Sequence, residues 1–74
     1  MATNEQTKII SRNILLLSYE KGITQKELAE AAGISGQMLS KVMKGKRPMP
    51  DKRIPPIAAR LGVSVHELTK DKKR

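Results

Sequence analysis

Residues 24–45, TQKELAEAAGISGQMLSKVMKG, decide the fold, because their spacing describes two short helices joined by one tight turn. Thr24 stands where a helix N-cap is wanted, and Glu27 three residues on completes a capping box that satisfies free amides of the first turn. Ser35 is placed to cap the second helix in the same way. Gly33 falls between them, where the chain must reverse with a positive φ that a side chain resists. Ala29 is small where the second helix has to cross closely. Leu28, Ala32, Ile34, Leu39 and Val42 supply apolar groups to the faces that meet.

This arrangement is a helix-turn-helix, and the charge around it indicates what it serves. The 74 residues carry 15 Lys and Arg against 7 Asp and Glu, a formal net charge of +8. Such a length allows one small domain with a modest core. The excess of base favours a polyanionic partner, nucleic acid first and an anionic membrane surface second. The charge is also unevenly spread. Lys41, Lys44, Lys46, Arg47, Lys52, Arg53 and Arg60 follow one another with a single acid, Asp51, among them, whereas Glu20, Glu27 and Glu30 come earlier. A basic face should therefore begin on the second motif helix and continue through the loop after it. A basic chain built around a helix-turn-helix reads as a DNA-binding domain.

No run reaches the roughly 20 apolar residues of a membrane span, and no signal-peptide pattern opens the chain. Without cysteine there is no disulfide framework, thiolate metal site or thiol nucleophile. A cytoplasmic location in a bacterial cell, at the nucleoid, is the expectation.

The remainder reads as helix. A first helix is expected from about Asn4 to Glu20, capped by Thr3 or Asn4 and ended by Gly22, with Ile10, Ile14 and Leu17 as its core stripe. Ile9, Leu15 and Leu16 lie off that stripe, more apolar surface than one small core requires. The motif helices are expected over 25–32 and 36–44, the second stopped by Gly45. The segment KRPMPDKR, 46–53, is loop by its prolines and charges. Pro55 and Pro56 lack amide hydrogens and are tolerated only in a first turn, so a fourth helix is placed over 55–61, closed by Gly62. Ser64 and Glu67 form a second capping box, opening a fifth helix that ends at Leu68 or Thr69. The reading is an all-α, five-helix domain over residues 1–69 with a basic, disordered tail at 70–74.

Gly22-Ile23-Thr24-Gln25, Glu27-Leu28-Ala29, Gly33-Ile34-Ser35, Leu39-Ser40, Gly45, Leu61-Gly62-Val63-Ser64 and Leu68 stand in the order and register of a known pattern. On these residues the chain resembles the lambda-repressor-like, or XRE-type, helix-turn-helix family of phage repressors and Cro proteins. The similarity runs from Ile10 to Leu68, and Ile54-Pro55 to Val65 is similar to the end of lambdoid phage repressor domains. The resemblance implies that the third helix docks in the major groove of double-stranded DNA, with Ser35, Gly36, Gln37, Ser40 and Lys41 facing the bases. Gln37 is the first choice, since its amide matches adenine N6 and N7. Lys41, one turn on, suits guanine O6 and N7 or a phosphate. The resemblance gives Gln25 a phosphate at the start of the second helix, where the helix dipole assists. Lys44, Lys46, Arg47, Lys52 and Arg53 are the further backbone contacts.

By the same resemblance the chain acts as a small repressor of phage, prophage or plasmid type. It would occupy an operator as a homodimer with half-sites about one helical turn, ~34 Å, apart. Three departures qualify the match. Gly36 replaces a side chain, often glutamine, that relatives use to read a base. Ser18 and Met43 replace a paired arginine and glutamate, and replacing both members of a pair avoids the ~3–5 kcal/mol of stranding one. The loop between the third and fourth helices is about one residue longer than in similar phage repressors.

Catalysis has little material. His66 is the sole histidine, and no carboxylate cluster has metal-ligand spacing, so no enzyme activity, metal, cofactor or small-molecule ligand is expected. Tyr19 is the only aromatic residue, too few for the base stacking of single-strand binders. Alternatives are a restriction–modification controller sharing this fold, or an antitoxin-like protein that neutralises a partner through the apolar excess of the first helix or the tail. RNA ranks third, because a helix suits the DNA major groove and not the deep A-form one.

Overall fold

A computed structural model of the chain describes residues 4–70. It contains five α-helices: α1 (Asn4–Lys21), α2 (Gln25–Ala32), α3 (Gly36–Met43), α4 (Ile54–Leu61) and α5 (Val65–Thr69). A 3-10 turn, Asp51–Arg53, precedes α4, and no strand occurs among the described residues. The expected all-α, five-helix order is the one observed. The expected cap at Thr3 and the tail residues 71–74 lie outside the described residues.

The core forms where the apolar stripes of all five helices meet. Ile10, Ile14 and Leu17 of α1 are buried with Leu28, Ala29 and Ala32 of α2, Leu39 and Val42 of α3, Ile54, Ile57, Ala58 and Leu61 of α4, and Leu68 of α5. Three polar residues of α1, Thr7, Ser11 and Asn13, are buried on the same side. Burial of a polar group is tolerable only with a bonding partner, and each has one. Thr7 Oγ1 accepts the Met49 N–H at 3.0 Å, and Ser11 Oγ donates to the Val42 carbonyl at 3.4 Å. Asn13 Nδ2 donates to the carbonyls of Leu68 at 2.7 Å and Lys70 at 2.8 Å. Helix α1 is thus bonded as well as packed to the loop, to α3 and to the end of α5.

Around the motif the local signals behave as expected. Thr24 and Glu27 form a complete capping box, and Gly33 takes φ 72° at the end of α2. The Ile34 N–H then reaches back to the Ala29 carbonyl at 3.0 Å, which satisfies one of the helix's free carbonyls. Ser35 caps α3 by accepting the Met38 N–H at 3.0 Å.

Boundaries differ by single residues. Helix α1 extends to Lys21, and α3 ends at Met43, because Lys44 has already left the helix (φ −88°, ψ 1°) and Gly45 takes φ 78°. Helix α4 begins at Ile54 and not Pro55, since the 3-10 turn delivers Ile54 in helical conformation and both prolines still fall in the first turn. At α5 only half of the expected box forms: Ser64 Oγ accepts the Glu67 N–H at 3.1 Å without the reciprocal bond. Nor is the loop wholly polar in function, because Met49 is completely buried and plugs the core.

Candidate nucleic-acid interface

Helix α3 has two unlike sides. Leu39 and Val42 are completely buried, so the 3.6-residue period leaves Gly36, Gln37 and Lys41 exposed and Ser40 half-buried on the other side. Beyond the helix, Gly45 reverses the chain and the Lys46 N–H bonds the Lys41 carbonyl at 2.8 Å. That turn returns Lys46 to the helix's own lysines. Gln37, Ser40, Lys41, Lys44 and Lys46 consequently line one shallow depression of about 430 Å³.

Ser35 and Gly36 sit at the N-terminal end of α3. Ser35 Oγ is engaged as a cap acceptor, which leaves its hydroxyl hydrogen to donate outward. At Gly36 an added Cβ would meet no atom within 4 Å, so nothing inside the fold calls for glycine there. The replaced charge pair leaves no stranded group: Met43 packs against the core, and Ser18 Oγ donates to the Leu15 carbonyl at 3.0 Å.

The residues expected at the DNA backbone divide into groups. Lys44 and Lys46 join the α3 depression. Lys52 and Arg53 line a second one, about 600 Å³, with Gly33 and Ile34 of the motif turn and Met38 of α3. Gln25, the first residue of α2, and Arg47 are exposed and line neither. Arg53 has a further role that the sequence reading missed. Its Nη1 donates to the Ala32 carbonyl at 3.1 Å and lies 3.6 Å from where a Cβ on Gly33 would stand. The guanidinium therefore braces the turn of the motif.

Arg60 likewise belongs to the fold. Its Nη2 donates to Glu27 Oε2 at 3.2 Å, joining α4 to α2. Glu27 Oε1 also accepts the Thr24 amide at 2.8 Å. That amide, with the Thr24 hydroxyl and Arg60 behind it, holds the Glu27 carboxyl below the usual carboxylate range. Glu27, one of the two acids of α2, is thereby engaged within the fold, and the lysines of α3 and its loop give that side its positive charge.

Among the described residues no three His, Cys, Asp or Glu side chains gather as a metal site, and His66 is exposed. No helix among them is long and apolar enough to cross a membrane.

Comparison with known proteins agrees with the fold. The helix-turn-helix family model matches residues 15–68. The clp gene regulator ClgR from Corynebacterium glutamicum is similar in structure, with a TM-score of 0.77 at 25% identity, over 85% of this chain and 67% of that one. The hypothetical transcription factor NHTF from Neisseria is also similar, with a TM-score of 0.81 at 25% identity, over 97% of this chain and 84% of that one. No curated protein matches the sequence.

Proposed function

The chain belongs to the lambda-repressor-like, XRE-type helix-turn-helix family, and from that premise we propose that it is a sequence-specific, double-stranded-DNA-binding regulator of transcription. The observation that carries the reading is the grouping of Gln37, Ser40 and Lys41 with Lys44 and Lys46 on the exposed side of α3, whose other side is sealed in the core. A helix of that kind fits the major groove, roughly 12 Å wide, with Gln37, Ser40 and Lys41 toward base edges and Lys44 and Lys46 toward the strands. Ser35, Gly36, Gln37, Ser40 and Lys41 form the base-facing set, and Gln37 pairs with adenine. Gln25 with the α2 amides, and Lys44, Lys46, Arg47, Lys52 and Arg53, take phosphates. Arg53 does so while one of its nitrogens holds the motif turn.

In this reading the protein works by occupying a site, without catalysis or cofactor. Two copies bind an operator with half-sites about 34 Å apart, in the manner of a phage-type repressor. Selection from random duplex DNA by the purified protein at near-physiological salt tests the proposal. It should enrich an inverted repeat. Salt-sensitive binding that is indifferent to sequence would leave a basic protein with no operator and refute the specific-regulator reading.

A further inference from the structure

Helix α1 spans 18 residues while every other helix has 8 or fewer, and only one side of it is used by the core. On the opposite side Leu15 is 61% exposed, Leu16 49% and Tyr19 87%. At 100° per residue, Arg12, Leu16, Tyr19 and Glu20 fall along one strip of the helix, with Leu15 on its flank. Arg12 and Glu20 are opposite in charge, lie four residues to either side of Leu16, and are both exposed. Neither side chain has a partner among the described residues. Along the helix Glu5 and Glu20 offset Lys8 and Arg12, although Lys44 also borders Arg12 and Leu15, on a chain of net charge +8.

We propose that this strip of α1 pairs with the same strip of a second copy of the chain, the two helices running antiparallel about a two-fold axis at Leu16. The arrangement follows from the spacing. Antiparallel pairing sets each Arg12 against the other copy's Glu20, about 6 Å along the helix on either side of the axis. Leu16 meets its own symmetry mate there. Leu15 and Tyr19 close over the pair, and the Tyr19 ring falls beside the opposing Arg12, where a cation–π contact is favourable. Parallel pairing would oppose arginine to arginine and glutamate to glutamate, so charge selects the antiparallel form. A strip that complements itself in this way specifies a second copy better than any other occupant. The lysines of α3 and its loop disfavour self-association on that side. None of the strip's residues lines the α3 depression, although Arg12 and Leu15 share a neighbouring one with Lys44, and the pairing rests on the helix itself and not on the DNA-binding reading.

Sedimentation equilibrium of the purified chain without DNA, at low salt, tests this pairing on wild type, R12E, E20R and the double variant R12E/E20R. Circular dichroism verifies that each remains folded. The wild type should show a concentration-dependent monomer–dimer equilibrium. Each single reversal should weaken it by about tenfold or more, and the double reversal should return it to within about threefold of wild type. Because the chain has no cysteine, L16C should also form a disulfide-linked dimer under mild oxidation, whereas K26C on α2 should not. A wild type that stays monomeric up to millimolar concentration overturns the proposal. So does a dimer that ignores both reversals, or a double variant no better than the singles.

Discussion

Arg53 Nη1 donates to the Ala32 carbonyl oxygen at 3.1 Å, bonding the turn ahead of α4 to the last residue of α2. That carbonyl belongs to the set left without a partner when a helix ends, so the bond removes an orphan acceptor where α3 takes its bearing. Arg53→Ala should lower stability by about 1 kcal/mol, read by thermal unfolding without DNA. A residue serving only as a phosphate contact would leave that melting curve unmoved.

Asn13 is a second long-range bond. Its amide serves the Leu68 and Lys70 carbonyls at once from a nearly sealed position. Asn13→Ala leaves the buried Leu68 carbonyl unpaired and should destabilise by about 1–3 kcal/mol in chemical denaturation. Asn13→Asp should be at least as damaging, because a carboxylate would then face two carbonyl oxygens.

Glu27 gives the fold an acid dependence. Its carboxyl is held below the usual range, chiefly by the Thr24 amide. A carboxyl with a depressed folded-state pKa contributes stability that is present above the unfolded value and is lost as pH falls through the folded one. Thermal unfolding from pH 7 into the acid carboxylate range should therefore show a falling Tm in the wild type. The fall should be shallower in Glu27→Gln, whose Tm should already be lower at pH 7.

Gly33 and Gly36 should part company. Gly33 holds φ 72°, so Gly33→Ala should cost about 1–2 kcal/mol. Gly36 has a helical backbone and open space, so Gly36→Ala should leave the fold unchanged or slightly firmer. If the α3 backbone approaches the DNA closely at Gly36, the same substitution should still weaken operator binding. Melting curves and titrations of the two variants separate these effects.

The helix-turn-helix is legible because its signals are local: Thr24 with Glu27, Ser35 with Met38, and Gly33 with the carbonyls just before it close within a few residues. Asn13 and Thr7 bond partners 55 and 42 positions away, which no local spacing announces. Their only trace is a polar residue on an apolar stripe. Met49 escapes for the same reason, since long-range packing buries a residue set in a polar loop. The basic side of α3 could be read from its lysines. Formal charge, however, says nothing of where a long side chain turns, and Arg53 and Arg60 turn inward onto Ala32 and Glu27.

The most direct test of the central claim is to titrate wild type and Gln37→Ala against the selected duplex and its single-base variants across one half-site. If α3 reads bases, Gln37→Ala should lose about 1–3 kcal/mol of preference at one position and keep the others. A uniform weakening, with every base preference intact, would contradict the placement of Gln37 at a base edge.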